Sequence, residues 1–107
     1  MVLAAALALV LSAPTDKLPY PAPRAATVTD KLRCDYATVL VVRWEKGEFQ
    51  GTTPAGVVTY KAGIEAQVFD QLGRPVGAVS KLTPGDKVRV YYLVEDGPRA
   101  IEVDLEK

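Results

Sequence analysis

The sequence contains no histidine, and cysteine occurs only once among its 107 residues. Without histidine, the general base of the familiar hydrolytic triads is excluded. The single cysteine, Cys34, can form neither an internal disulfide nor a thiolate metal site. The two serines, Ser12 and Ser80, lie outside any nucleophile-elbow pattern. We therefore expect that the protein is not an enzyme and that it holds no cofactor and no metal.

An excess of charge of either sign is also lacking, since 13 Lys and Arg residues balance 13 Asp and Glu residues. Such a chain has no strong electrostatic attraction to nucleic acid or to an anionic membrane, so a nucleic-acid partner is not expected. Asparagine is absent, and there are eight prolines. Depletion of thermolabile residues suits a thermophile, although GC-rich codon usage explains it equally well.

The N-terminal part of the sequence carries an apolar run over residues 2–11. As a helix this run would extend about 15 Å, half of a hydrocarbon core of about 30 Å, so it predicts no transmembrane span. It fits the apolar region of a secretory signal peptide cleaved after Ser12 or Ala13, although no Lys or Arg precedes it. This interpretation predicts export to the periplasm or the extracellular space. The alternative is an apolar segment of the fold in a cytoplasmic protein.

The sequence divides into three regions. Residues 1–13 resemble a signal peptide, residues 14–26 are a proline-rich tether, and residues 27–107 form a single β-barrel domain. The prolines of the tether are Pro14, Pro19, Pro21 and Pro23. Closely spaced prolines favour an extended, polyproline-like backbone. We expect the tether to be a spacer, with a ligand for an aromatic groove as the alternative.

The clearest strand pattern follows the turn signal Thr-Pro-Gly-Asp at residues 83–86, where proline and glycine favour a tight turn. Apolar and polar residues then alternate with the two-residue period of a strand. One face carries Val88, Val90, Tyr92 and Val94, and the other carries Lys87, Arg89, Tyr91 and Leu93. The valine-rich face is predicted to be buried.

Two other segments show the same alternation. In the first, Leu40, Val42 and Trp44 share one face, and Trp44 is predicted to anchor the core, with a binding platform as the alternative. In the last, the apolar residues are predicted to point inward and the acidic residues outward. The inward set is Ile101, Val103 and Leu105, and the outward set is Glu102 and Asp104.

Turn signals recur along the whole body of the chain, and no stretch shows a period of 3.6 residues. This spacing is typical of a barrel or a sandwich. Closure removes exposed sheet edges, so a domain of about 80 residues favours a barrel. The sequence therefore predicts an all-β fold, a small five- or six-stranded antiparallel barrel. An immunoglobulin-like sandwich is the alternative fold.

Residues 82–90, an acidic-Gly hairpin and residues 99–103 together resemble small exported bacterial β-barrel domains of unknown function. These domains have an oligonucleotide/oligosaccharide-binding-like (OB-like) shape. The resemblance covers the C-terminal segment alone, and its motif is mostly turn chemistry. It implies a five- or six-stranded barrel in the cell envelope without known catalytic residues.

Two groups of residues are candidates for binding. Lys87, Arg89 and Tyr91 form a basic and aromatic stripe that could stack bases or sugars, although it could equally be a solvated face paired with Glu102 or Asp104. Cys34 is either a buried, inert thiol or the site of an intermolecular disulfide. Acidic pairs at hairpin tips are expected to be solvated turn residues.

Together these patterns predict a non-catalytic, exported β-barrel that serves as a binding or structural module of the bacterial cell envelope. Its partner would be a protein or another envelope component, and the oligomeric state is left open. The alternative is a nucleic-acid-binding OB-like barrel that uses Lys87, Arg89 and Tyr91.

Overall fold

The protein folds as seven short β-strands in the part of the chain that the computed structural model describes, residues 18–95 and 97–106. The strands are β1 Leu32–Arg43, β2 Glu48–Thr53, β3 Gly56–Lys61, β4 Gln67–Phe69, β5 Pro75–Gly77, β6 Lys87–Leu93 and β7 Arg99–Leu105. Two single 3₁₀ turns, Trp44–Lys46 and Val79–Lys81, complete the regular structure of these residues. The predicted all-β class is confirmed. The signal-peptide-like residues 1–13 lie outside the described part.

All seven strands belong to one sheet with the order β3-β2-β1-β6-β7-β4-β5. An additional parallel pairing joins β3 to β7 at Lys61 and Arg99, and Lys61 N donates to Pro98 O at 2.9 Å. Five strands therefore partly ring round in a barrel-like arrangement. The β4–β5 hairpin extends this ring beyond β7, through a parallel pairing of β4 with β7. One continuous sheet is a different arrangement from the two packed sheets of the sandwich alternative.

The predicted turn at residues 83–86 positions the start of β6. Gly85 has a φ of 99°, which glycine adopts readily. Thr83 N donates to the Asp86 carboxylate at 2.8 Å, and Asp86 N donates to Thr83 O at 3.0 Å. The turn also bonds to Val39 on β1 through two backbone hydrogen bonds of 2.8 Å. It thereby fixes β6 beside β1.

The interior of the ring is filled by aliphatic and aromatic side chains, and the predicted burial on β6 is confirmed for Val88 and Val90, whereas Tyr92 is half-buried and Val94, beyond the end of the strand, is exposed. Val88 and Val90 are 1% and 0% exposed. The Phe49 and Tyr60 rings stack across the β2–β3 pair with centroids 5.1 Å apart. Other buried members of this core are Ala37, Val39, Ala62, Ala66, Val68, Val79, Leu82, Ala100 and Val103.

The prediction for the face of Leu40, Val42 and Trp44 is correct for Val42, which packs against the core, and wrong for the other two residues. Val39 pairs with Gly51 and Val41 pairs with Gln50, so Leu40 is an extra residue on β1. The bulge changes which residues point inward, and Leu40 is exposed. Trp44 lies beyond the end of the strand and is 64% exposed, so it is not a core anchor.

The prediction for β7 is correct for Val103 and wrong for the two acidic residues. Val103 is buried, and Ile101 and Leu105 are half-buried. Glu102 and Asp104 lie on the opposite face, as the alternation requires, yet both are 0% exposed. Residues 18–26 cover this face of the sheet. These residues, called the strap below, are the described part of the predicted tether, and they are packed on the domain instead of forming a free spacer.

Candidate functional site

The predicted stripe of Lys87, Arg89 and Tyr91 lies on one face of β6, but it is not an exposed surface. Lys87 is exposed, whereas Tyr91 is fully buried under the strap. Arg89 is half-buried and forms ion pairs with Asp104, at 3.3 Å, and with Glu106. The predicted exposure of Tyr91 is therefore wrong, because a segment distant in sequence covers it.

Tyr91 forms one end of the contact between the strap and the sheet. Its hydroxyl donates to the carbonyl oxygen of Pro21, and it accepts a hydrogen bond of 3.1 Å from Arg89 Nε. The Tyr20 ring packs edge-to-face on the Tyr91 ring, with centroids 5.8 Å apart. Burial raises the pKa of Tyr91 to about 12, so the hydroxyl keeps the proton that it donates.

Glu102 forms the other end of this contact. Three consecutive backbone N–H groups donate to its carboxylate, those of Arg24 at 2.6 Å, Ala25 at 2.8 Å and Ala26 at 2.7 Å. The first of these residues follows Pro23 directly, and none of them is a proline, which would lack the N–H group. Successive N–H groups form a concave site that suits an anion. The strap is therefore held by charge-assisted hydrogen bonds to one buried side chain.

Asp104 lies beside Glu102 on the same face of β7. Its Oδ2 accepts from Arg89, while its Oδ1 is buried without a hydrogen-bond partner among the described residues. Burial, and next to it the Glu102 carboxyl, raise the pKa of Asp104 to about 7. At a lower pH Asp104 carries a proton, and a protonated carboxyl can donate a hydrogen bond to its neighbour.

Cys34 belongs to the same cluster, since it pairs with Tyr91 across β1 and β6. It is a half-buried free thiol. Burial raises the pKa of Cys34 to about 11, which keeps the sulfur in its less reactive thiol form. The predicted intermolecular disulfide stays a prediction, and this environment does not favour it.

We expect alkylation of Cys34 by iodoacetamide to be about a hundredfold slower in the folded protein than in the urea-unfolded chain, because the thiolate fraction falls tenfold per pKa unit. Mass spectrometry of timed samples at about pH 8 measures both rates. Equal rates in the two states would contradict this placement of Cys34.

A second polar cluster, which the sequence did not predict, lies at Asp35. Tyr60 Oη donates to Asp35 Oδ2 at 2.5 Å, and Tyr92 Oη donates to Asp35 Oδ1 at 3.1 Å. Burial, and next to it the hydrogen bond to Asp35, raise the pKa of Tyr60. Both carboxylate oxygens and both hydroxyl groups are thereby satisfied, so this cluster has a structural role.

An apolar groove lies away from the strap, between Trp44 and Ile64. These side chains are 64% and 94% exposed. They border a cavity of about 280 Å³ whose other lining residues are Ala62, Gly63, Ala78, Val79 and Ser80. The sequence signal for this groove was weak, because a single apolar residue such as Ile64 in a turn has no period.

Local backbone structure fixes both sides of this groove. Trp44 lies in the 3₁₀ turn after β1, and Gly47, with a φ of 67°, returns the chain into β2. Gly47 O accepts a 2.7 Å hydrogen bond from Ala62 N, which joins this turn to the end of β3. Ala66 N donates to Gly63 O at 3.1 Å and closes the turn that carries Ile64. The groove is therefore built on short, hydrogen-bonded turns.

Within the described residues, no three Cys, Asp or Glu side chains come together as potential metal ligands. The same residues include no helix with the length and hydrophobicity needed to cross a bilayer. Comparison with known protein families, with curated proteins and with solved structures finds no match for this chain.

Proposed function

We propose that this protein is an exported, non-catalytic binding module of the bacterial cell envelope, and that it binds a protein partner through the groove between Trp44 and Ile64. The observation that carries the proposal is the exposure of these two large apolar side chains on either side of one cavity. Exposed apolar patches on small soluble domains are typical of interaction sites.

The chemistry of the groove supports a protein partner. Its lining side chains are aliphatic or aromatic except for Ser80. An apolar side chain of a partner would fill such a groove, whereas a sugar or a phosphate needs several hydrogen-bond donors. Tryptophan is also the residue type that most often dominates the binding energy of a protein interface.

The strand order supports the OB-like shape that the resemblance implies. The ring β1-β2-β3-β7-β6 contains five strands, and in OB-type barrels the loop between the first two strands contributes to binding. Trp44 lies in the corresponding connection between β1 and β2. Nucleic-acid binding through Lys87, Arg89 and Tyr91 has less support, since Tyr91 is covered and Arg89 pairs with two carboxylates.

The proposed export and the proposed non-catalytic role are supported by different observations. The apolar run at residues 2–11, followed by small residues, supports a signal peptide. The lack of histidine and of nucleophile motifs supports a non-catalytic role. The buried acidic side chains Glu102 and Asp104 contribute to the contact with the strap or lie beside it.

We expect a photo-crosslinking phenylalanine derivative in place of Trp44 to form an adduct with one defined envelope protein in the source cells. The matched control carries the same derivative in place of Leu72, which is 73% exposed and lies in the β4–β5 turn. Adding Ile64→Ser to the Trp44 variant should reduce the adduct about fivefold, since it removes apolar contact on the other side of the groove.

Identical adducts from both positions, or none from position 44, would refute the assigned surface. Mass spectrometry of the chain purified from the same cells tests export separately. A chain that begins at Met1 and stays in the cytoplasm would refute the envelope location while leaving the groove open to test.

A further inference from the structure

The strap contacts the sheet mainly at Tyr91 and Glu102, and the stronger contact is the Glu102 carboxylate. Glu102 accepts three N–H groups of the strap, while Tyr91 contributes one hydrogen bond and one ring contact. Asp104, two residues along the same face of β7, is buried equally deeply. Any change in the charge of Glu102 or Asp104 should therefore change how tightly the strap is bound to the sheet.

We infer that the strap is a pH-sensitive latch, in which one proton on Asp104 keeps residues 20–26 docked on β6 and β7 and loss of that proton releases them. The inference does not depend on the proposed binding function. It assigns to the acidic pair a regulatory role that involves neither the groove nor a ligand.

The hydrogen bonds around the pair show why a second negative charge would be poorly accommodated. Both oxygens of Glu102 already accept N–H groups. Among the residues that the structure describes, Arg89 alone donates to the Asp104 side chain, and Arg89 also donates to Glu106 and Tyr91. The buried Asp104 Oδ1 has no donor among the described residues. A proton on Asp104 removes the repulsion and supplies a donor toward Glu102.

The groups that face Asp104 come from four elements. Arg89 and Tyr91 lie on β6, Cys34 on β1, Glu102 on β7 with Glu106 directly after it, and Arg24 on the strap. The neighbouring strand β4 contributes Gln67, Val68 and Phe69, which do not titrate. Tyr91 and Cys34, with pKa values of about 12 and about 11, keep their protons near neutral pH, and Arg keeps its charge.

The pKa of Asp104 differs between the docked and undocked states, and this difference determines how docking of the strap depends on pH. Asp104 has a pKa of about 7 when the strap is docked, and an aspartate open to water has a pKa near about 3.9. The docked state therefore binds the proton more tightly, so docking weakens as the pH rises between these values. The docking constant falls by at most about tenfold per pH unit over that interval and is level above it.

Backbone amide spectra of the full chain from about pH 4 to about pH 8 test this latch directly. We expect the amide resonances of Arg24, Ala25 and Ala26 to move from hydrogen-bonded positions towards solvent-exposed positions as the pH rises, with a midpoint between about pH 4 and about pH 7, the interval over which the docking constant falls. In Asp104→Asn the midpoint should be lost and the strap should stay docked throughout, because the amide cannot ionise. Glu45→Gln, at an exposed glutamate in the β1–β2 turn, is the matched control and should titrate like the unaltered chain.

Amide resonances of the strap that do not move over this range, or that move with the same midpoint in Asp104→Asn, would overturn the proposal. Glu102→Gln provides a second measurement, since it removes the charge that interacts with Asp104. It should move the midpoint to lower pH, because burial alone then raises the pKa of Asp104, while the resonances of β1 and β6 show a folded barrel. A midpoint that does not move in Glu102→Gln would also count against the latch.

Discussion

Replacing Glu102 with alanine is expected to lower the free energy of unfolding by about 2–4 kcal/mol and to detach the strap from the barrel. The change leaves three N–H groups without their acceptor and Asp104 without its partner. Each hydrogen bond to a charged group is worth about 1.5–3 kcal/mol, but the strap can undock and expose its amides to water. The loss is therefore limited by the free energy of docking, and the barrel should stay folded.

Urea unfolding measures the loss, and hydrogen exchange of the Arg24, Ala25 and Ala26 amides measures detachment. Glu95→Ala is the matched control, because Glu95 forms an exposed ion pair with Lys31 at 2.9 Å. Exposed pairs contribute little to stability, so this control should leave the urea midpoint nearly unchanged. A Glu102→Ala chain with unchanged protection of these amides would show that the strap is held by other contacts.

The largest effect is expected in the core, where Phe49→Ala should cost about 3–5 kcal/mol. Phe49 is 0% exposed and stacks on Tyr60 at 5.1 Å with an interplanar angle of 27°. Truncation removes this contact and leaves a cavity that neighbouring strands cannot fill without breaking their pairing. Since small domains have a total stability of about 5–15 kcal/mol, this variant should be close to unfolding.

Trp44→Ala is the matched control for this prediction, since it removes a larger ring that is 64% exposed. We expect it to change the free energy of unfolding by about 0.5 kcal/mol or less. Urea midpoints of the two variants provide the comparison. A larger loss for Trp44→Ala than for Phe49→Ala would mean that the groove belongs to the core and is not available to a partner.

Local patterns were sufficient to predict the all-β class, the turn before β6 and the burial of Val88 and Val90. These features depend on neighbouring residues, since a turn residue sets its own backbone angles and a strand alternates with a fixed period. The exposure of Leu40 and of Trp44 could not be predicted in the same way. Leu40 is the extra residue of a bulge, and an aliphatic residue in a bulge looks like any other strand residue in the sequence. Trp44 continues the alternation in the sequence, but the strand ends at Arg43.

The burial of Glu102 and Asp104 could not be predicted from the sequence for a different reason. Alternation correctly placed Glu102 and Asp104 on the outer face of β7, and charged residues on such a face are normally solvated. The strap that covers them is distant in sequence, since Arg24 and Glu102 are 78 positions apart. Neither end carries a recognisable motif, because Glu102 is met by backbone groups of the strap and not by its side chains.

The two sides of the contact between the strap and Glu102 should tolerate different substitutions, because one side consists of backbone groups and the other of a side chain. At positions 24–26 the N–H groups make the contact, so natural selection can replace the three side chains widely and needs only to avoid proline. At position 102 a carboxylate on a side chain of one length meets all three groups, which leaves almost no alternative. Diverged relatives of this chain should therefore retain a glutamate at the position of Glu102, whereas the side chains at positions 24–26 should vary until the segment can no longer be identified by its sequence.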